Sequence, residues 1–259
     1  MSLLLTLRLQ LLRSLVNNKE SLYPHVWLVF HVFQAEVTVK LLEWTNSYMM
    51  HEFVNDAKAD IEPYGKDSLW EILYDVGMKL VVDDMLDMEK EVDNETKNGI
   101  LLDNAYKTDL RLCVATLLRQ NWETLTNESK ILLADQLVQT LLAQVGSKNA
   151  EISTMCKEFF FDLLKGEYIT SKDFRVVRNH TINSVGNIVT VQMAKRISSG
   201  DEKNPLLSLF TDDLAMKFKG DDVLNCQDGT RFLDEIKKLF ELLLALAQFP
   251  KNATHEQER

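Results

Sequence analysis

The stretch "CKEFFFDLLKGEY", residues 156–168, places three phenylalanines in a row between charged ends. Three consecutive residues cannot all lie on one side of a helix, so Phe159, Phe160 and Phe161 must meet more than one neighbour. Phe161 and Leu164 extend the main apolar face toward a second packing partner. A stripe of this width is typical of a helix packed on both sides, and a ligand groove is the alternative. The main face consists of Ile152, Met155, Cys156, Phe159, Phe160 and Leu163.

The rest of the chain repeats the helical pattern. Apolar residues recur with a period near 3.6 almost throughout, and the chain has only 9 Gly and 4 Pro in 259 residues. We therefore predict an all-α protein built as an armadillo/HEAT-like helical solenoid, with a compact bundle as the alternative. The predicted helices cover residues 2–17, 24–33, 35–58, 67–89, 98–120, 127–145, 148–165, 171–198, 204–218 and 229–248.

Composition limits the possible partners. The formal net charge is −10, which disfavours nucleic acid and anionic membrane as partners of the surface as a whole. The three cysteines are far apart and form no C-x-x-C motif, so neither zinc nor a disulfide framework is indicated. A reducing, cytoplasmic setting is the expectation.

Two amino-terminal segments have competing interpretations. The first 19 residues contain no acid, as in a mitochondrial presequence. Residues 22–33, "LYPHVWLVFHVF", are too short to cross a bilayer and are predicted to form a buried helix. For the first segment we favour a core helix, since its leucines and valine fit one buried face: Leu3, Leu4, Leu7, Leu11, Leu12, Leu15 and Val16.

The sharpest catalytic pattern is "VVDDMLDMEKE", in which Asp83, Asp84 and Asp87 form a D-D-x-x-D motif. On a helix these carboxylates could hold magnesium against a diphosphate, as in all-α prenyl-diphosphate enzymes. The basic residues and the second metal motif of such enzymes are missing, and Asp221 and Asp222 with Asn225 echo the pattern only loosely. We therefore favour a solvated helix end for Asp83, Asp84 and Asp87, and predict no catalytic, cofactor or metal site.

The histidines and tryptophans suggest packing more than chemistry. His25 and His31 lie on an apolar stretch and are predicted to be partnered core or groove residues. No H-E-x-x-H or E-x-x-H motif accompanies them. The tryptophans are predicted to be packing anchors and are spread singly at Trp27, Trp44, Trp70 and Trp122.

Several motifs stand in a family-specific order around the phenylalanine run. They are "YKTDLR", "QNWETL", "EFFFDLL", "KDFRVVRN", "LFTDDLAMKF" and "GTRFLDEIKKLFELLLALAQFP". This order resembles the DOCK (dedicator of cytokinesis) family of guanine nucleotide exchange factors, in the helical segment just before the catalytic region. The resemblance covers about residues 106–250, with a looser fit over 67–105. On this basis we divide the chain into three parts: amino-terminal helices over 1–60, which the resemblance leaves unassigned, an armadillo-like segment over 61–250 and a polar tail over 251–259.

The resemblance implies a function without catalysis. The exchange region of the family would follow "KNATHEQER" and is not in this sequence, so we expect a scaffold segment without exchange activity of its own. Its expected partners are proteins, above all the rest of a DOCK-type protein and, indirectly, a Rac-type GTPase. An unrelated helical-repeat interaction protein is the alternative.

Overall fold

The regular structure of the protein is helical throughout the ranges that can be described. The computed structural model describes residues 2–17, 28–52, 69–83, 86, 109–196 and 205–256. The predicted all-α class is confirmed. The helices are α1 (Ser2–Asn17), α2 (Leu28–Glu52), α3 (Leu69–Val81), α4 (Leu110–Trp122), α5 (Asn127–Leu132), α6 (Ala134–Gln144), α7 (Ala150–Ser171), α8 (Arg175–Arg196), α9 (Pro205–Ser208), α10 (Leu214–Lys219) and α11 (Gln227–Glu256), with a π-helical turn (Leu209–Asp213) between α9 and α10.

The chain divides into two compact units, Met1–Ser129 and Lys130–Arg259. This division does not test the domain boundaries predicted after residues 60 and 250, which stay predictions. Within the described residues, no helix combines the length and the apolar character that crossing a membrane requires.

In the first unit, α3 is the central helix, with α1 and α4 both packed against it. Ten of its 13 residues are buried, as expected for a helix that is apolar nearly all round. Gly77 lets α4 approach closely, because a Cβ there would lie 2.9 Å from a methyl group of Leu118. The Tyr74 hydroxyl donates to the Leu118 carbonyl oxygen at 3.2 Å, and its ring meets Trp122 edge-on.

Polar contacts fix the register of α1 on α3. The Arg13 guanidinium binds the Asp75 carboxylate at 2.7 Å. The Lys79 ammonium binds both Asp75 and the side-chain oxygen of Asn17, each at 2.7 Å. These contacts tie the second half of α1 to the middle of α3.

The buried face of α1 differs from the prediction. Leu9, Leu12 and Val16 are buried, whereas Leu7 and Leu11 are exposed. The predicted face was therefore wrong by part of a turn. The cause is that α1 carries leucines on more than one side, so the apolar period alone does not select the side that packs.

The predicted helices over 24–33 and 35–58 form one helix, α2, over the residues described. Residues 22–27 lie outside the described residues. The prediction that 22–33 is buried is wrong for Phe30 and Phe33, which are both exposed. The buried side of α2 consists of His31, Val32, Ala35, Thr38, Val39, Leu42, Thr45, Asn46 and Met49.

In the second unit, α6 packs against both α7 and α8, and α8 packs against α11. The amino terminus of α8 is capped by a side chain from the preceding helix. Glu167 on α7 is buried, and its two carboxylate oxygens accept the N–H groups of Val176 at 2.6 Å and Val177 at 2.8 Å. These N–H groups have no intrahelical acceptor, so Glu167 joins the two helices by satisfying them. Lys172, in the left-handed conformation (φ 58°), ends α7.

Several predicted helix spans need local correction. The helix predicted over 148–165 continues to Ser171, and the one predicted over 229–248 continues to Glu256. The helix predicted over 127–145 is broken at Leu133 into α5 and α6. The helix predicted over 67–89 ends at Val81, so Asp83 follows it. The span predicted over 204–218 opens at Pro205, as expected, but contains the π-helical turn.

Candidate interaction surface

The acidic motif does not form a solvated helix end at Asp83. Asp83 is only 2% exposed, and its Oδ2 lies 3.0 Å from the Nε2 of His31, which is also buried. The prediction of a solvated position is therefore wrong for Asp83, because α2 covers the end of α3. His31 is a partnered core residue, as predicted. Asp84, Asp87 and His25 lie outside the described residues.

A buried arginine stands beside the same helix end. Arg111, on α4, is 4% exposed and donates from Nε to the Val81 carbonyl oxygen at 3.0 Å. This bond satisfies one of the carbonyl groups that the carboxyl end of α3 leaves without an intrahelical donor. His31, Asp83 and Arg111 thus occupy the end of α3 with structural contacts. Among the described residues, no group of three or more His, Cys, Asp or Glu could hold a metal ion.

Of the second acidic pair, Asp221 has a structural role, whereas Asp222 is exposed. Asp221 accepts the N–H groups of Val223 at 2.9 Å and Leu224 at 3.1 Å, and binds the Lys165 ammonium at 2.6 Å. Partial burial alone would raise the pKa of Asp221. The hydrogen bonds from Lys165 and the two N–H groups outweigh burial and lower the pKa below its ordinary 3.8. Asp221 therefore acts as the cap of a turn that is fastened to α7.

The phenylalanine run is core packing, as the sequence favoured. Phe159 and Phe160 are buried, and Phe161 is half-buried. Phe160 meets the ring of Phe210 edge-on with centroids 5.8 Å apart, while Phe161 lies against Phe218 at 6.1 Å. The two rings thus contact different parts of the following segment, the π-helical turn and α10. The predicted main face is buried in full: Ile152, Met155, Cys156, Phe159, Phe160 and Leu163.

Two of the three cysteines, Cys113 and Cys156, have the character of packing residues. Cys156 is fully buried, and burial raises the pKa of its thiol to about 12. Cys113 lies beside a groove between α2 and α4, where burial and then the carboxylates of Glu43 and Asp109 raise its pKa. Both thiols are therefore protonated near neutral pH and are poor nucleophiles.

A surface cavity of about 290 Å³ lies in the second unit, where α8 and α11 begin. Arg178 and Arg231 line it, and both bind the Glu235 carboxylate, at 3.1 and 3.0 Å. Four cations face three acids there, so the cavity does not strongly favour an anion. Its lining consists of Lys172, Asp173, Phe174, Arg175, Arg178, Asp228, Arg231, Phe232 and Glu235.

The largest group of exposed apolar side chains in the described part of the chain lies on α1 and α2. We call it the α1–α2 apolar face, and each member is 41–64% exposed. Large clustered apolar patches on a protein surface mark sites of interaction. The face consists of Leu7 and Leu11 on α1, and Phe30, Phe33, Val37, Leu41 and Trp44 on α2.

The exposure of Trp44 corrects a second prediction. Trp70 and Trp122 are buried packing anchors, as predicted, whereas Trp44 is exposed over half its surface. The Arg8 guanidinium lies over the Trp44 ring, 4.1 Å from its centroid. Trp27 lies outside the described residues. The signal for this face was present in the sequence, since α2 carries apolar residues on two sides and can bury only one against α1, α3 and α4.

Comparison with known families agrees with the helical architecture. The family model that describes the dedicator of cytokinesis (DOCK) TPR region matches residues 3–204. It begins within α1, and so includes the amino-terminal residues that motif comparison left unassigned. The description names TPR repeats rather than armadillo or HEAT repeats; all three are stacked helical units, and the predicted helical solenoid class is confirmed.

No solved structure matches the chain. The family match covers 202 of the 259 residues, since it runs from residue 3 to residue 204, and it extends over both compact units. The motifs "YKTDLR", "QNWETL", "EFFFDLL" and "KDFRVVRN" all lie inside it. The chain belongs to the DOCK family, as a segment that corresponds to its TPR region.

Proposed function

We propose that this chain is a non-catalytic scaffold segment of a DOCK-type guanine nucleotide exchange factor for Rho-family, Rac-like GTPases. It would act in the cytoplasm, in signalling from small GTPases to the cytoskeleton. The observation that carries the proposal is the match to the DOCK TPR region over residues 3–204. The guanine nucleotide exchange and the Rac specificity are expectations from the family and belong to the proposal.

The contacts of the acidic residues support a scaffold role. The Asp83 carboxylate is paired with the buried His31 ring, and the Asp221 carboxylate caps a turn. A carboxylate that must hold magnesium against a diphosphate needs to face the ligand. The alternative of a prenyl-diphosphate enzyme using Asp83, Asp84 and Asp87 therefore loses its first ligand. Family membership removes the other alternative, an unrelated helical-repeat protein.

The proposed partners follow from the scaffold role. The chain would contact the rest of a DOCK-type protein, and would affect the GTPase indirectly by positioning the exchange region. A helical solenoid suits this task, because each unit packs on its neighbours and the array resists bending. The chain itself would supply no group to the nucleotide.

Release of a fluorescent nucleotide from Rac tests the proposal. Three samples are compared: Rac alone, Rac with this chain, and Rac with an exchange region from a DOCK-family protein joined behind this chain. We expect the chain alone to leave the spontaneous release rate unchanged, and the joined protein to accelerate release. The exchange region without this chain serves as the control. Acceleration by the chain alone would contradict a non-catalytic role.

A further inference from the structure

A groove of about 790 Å³ lies between α2 and α4 in the first unit. Its volume is within the range of about 300–1,000 Å³ that ligand-binding clefts occupy. Two contacts show that the helices run in the same direction: Asn121 donates to Asn46, and Thr124 donates to the Met50 sulfur at 3.8 Å. The α4 wall extends from Asp109 to Gln120, which is a length of about 16 Å. An extended peptide of about five residues matches this length.

The groove contains a buried amide with an unsatisfied donor. Asn46 lines the groove and is only 8% exposed. Among the described residues its one hydrogen bond is the one that its Oδ1 accepts from Asn121, so its Nδ2 group has no acceptor. Within the same part of the chain, the Oδ1 of Asn121 is buried without a donor. Because buried polar groups are nearly always hydrogen-bonded, the free Nδ2 group indicates a place for an acceptor that a ligand supplies.

The charge of the groove is negative. Its described lining contains Glu43 and Asp109 and no cationic residue. Asp109 caps α4 through Oδ1, whereas Glu43 is exposed and forms no ion pair with any described residue. After burial itself, the Glu43 carboxylate is the largest cause that raises the pKa of Cys113, which also lines the groove. The Glu43 charge therefore acts on the interior of the groove, where it favours a cation.

A ligand that fits this groove must supply a cation and a hydrogen-bond acceptor together. A polyamine offers cations without an acceptor, and a phosphate offers acceptors with the wrong charge. We propose that the groove between α2 and α4 binds an extended segment of a partner protein that carries an arginine or a lysine. The basic side chain pairs with Glu43, and a backbone carbonyl oxygen of the segment accepts from Asn46 Nδ2.

The walls of the groove favour an extended segment over a helix. Ser47, Thr116 and Gln120 line the groove with exposed hydroxyl and amide groups, which can both donate and accept hydrogen bonds. The backbone of an extended peptide has free N–H and C=O groups for these side chains. A helix has engaged most of its backbone groups internally, so it would leave the Asn46 donor unsatisfied. Leu112 and Met50, both half-buried, add apolar contact beside the polar groups.

Fluorescence anisotropy with labelled peptide pools tests the proposal on the whole chain. Each pool contains octapeptides of random sequence with one fixed central residue, which is arginine, lysine, glutamine or glutamate. We expect the arginine or the lysine pool to bind. The glutamine pool should bind about tenfold more weakly, since it lacks the charged hydrogen bond, and the glutamate pool should not bind. Spermine, which has cations and no acceptor, should not displace the basic pool at an equal concentration.

A pair of matched variants separates the groove from the overall charge. Glu43→Gln should weaken binding of the basic pool by about tenfold or more, because the cation loses its charged partner. Glu241 is exposed on α11 of the second unit, so Glu241→Gln changes the net charge by the same amount at a distant place. That change should leave binding within about twofold of the parent value, because exposed distant charges are screened.

A second variant tests the buried amide. The double variant Asn46→Leu/Asn121→Leu replaces the polar pair by an apolar pair, which is nearly neutral for folding when both partners are changed. It should retain the helical circular dichroism spectrum and lose binding of the basic pool by about tenfold or more. If the double variant does not fold, the comparison of Glu43→Gln with Glu241→Gln decides alone.

Four results would overturn the proposal. Failure of both basic pools to bind would exclude a basic peptide as the ligand. Equal losses in Glu43→Gln and Glu241→Gln would show attraction by net charge only. Displacement by spermine would reduce the groove to a site for cations. Full binding by a folded Asn46→Leu/Asn121→Leu variant would exclude the hydrogen bond from Asn46.

Discussion

Replacing Phe160 with alanine should lower the free energy of unfolding by about 3–5 kcal/mol. Phe160 is fully buried, so the change removes the whole contribution of an aromatic ring to the core. The edge-to-face contact with Phe210 accounts for about 0.5–1.5 kcal/mol of this loss. The upper half of the range is favoured, because Phe210 is itself held by Phe240 at 5.9 Å and cannot easily collapse into the cavity.

Phe161 provides the matched control on the same helix. It is half-buried and contacts Phe218, and the Lys217 ammonium lies 4.9 Å from its ring centroid. Phe161→Ala should therefore cost about 1–2 kcal/mol. The double variant Phe160→Ala/Phe210→Ala should be less destabilised than the sum of the single changes, since the lost contact is then counted once.

Urea unfolding followed by circular dichroism measures these differences. All four tryptophans precede Lys130, so their fluorescence reports in parallel on the first unit. A loss below about 1 kcal/mol for Phe160→Ala, or equal losses for Phe160→Ala and Phe161→Ala, would refute the assignment of Phe160 to the core.

Three further predictions concern single carboxylates. Glu167→Ala should lower the free energy of unfolding by about 1–2 kcal/mol. Glu167→Gln should lower it by less, because glutamine keeps one oxygen acceptor for the start of α8. Equal effects of the two changes in urea unfolding would contradict the role of Glu167 as the cap of α8. Asp221 has a lowered folded-state pKa, so its stabilisation is present above about pH 3.8 and is lost as pH falls through the lower folded value. The difference in unfolding free energy between the parent and Asp221→Ala should therefore be constant above about pH 5 and shrink as pH falls below it, and a difference that stays constant at acid pH would argue against the ion pair with Lys165. Calorimetry with magnesium and diphosphate should show no micromolar binding. Asp83→Ala should instead destabilise the fold by about 1–3 kcal/mol, because it leaves His31 without its buried acceptor. Magnesium binding that Asp83→Ala abolishes would support the enzyme hypothesis.

The period of apolar residues predicted the helices well, but not which side of each helix is buried. α7 was predicted correctly because its apolar stripe is wide and continuous, so every choice of neighbour buries Phe160. The buried side of α1 was not predicted correctly, because Leu7 and Leu9 lie on different sides of the helix and only packing against α3 determines that Leu9 is buried. For the same reason the sequence did not predict the exposure of Phe33. The apolar residues on the second side of α2 have the same sequence pattern as buried core residues.

The acidic residues show a second limit. A carboxylate near a helix end has the same sequence pattern whether it faces water, binds a cation or satisfies a helix end. The burial of Asp83 depends on α2 lying over the end of α3, and His31 and Asp83 are separated by 52 positions in the chain. Glu167 was not singled out at all, because its role depends on where the chain turns after α7.

The cap that Glu167 forms has a consequence for how the second unit opens. First-turn amides of a helix ordinarily exchange their hydrogens with solvent quickly, because nothing inside the helix accepts them. The amides of Val176 and Val177 are held by a buried carboxylate of the preceding helix. They can exchange only when α7 and α8 separate, so fraying of α8 alone does not release them. The α7–α8 hairpin should therefore behave as one cooperative unit, with slow exchange reaching to its very first turn.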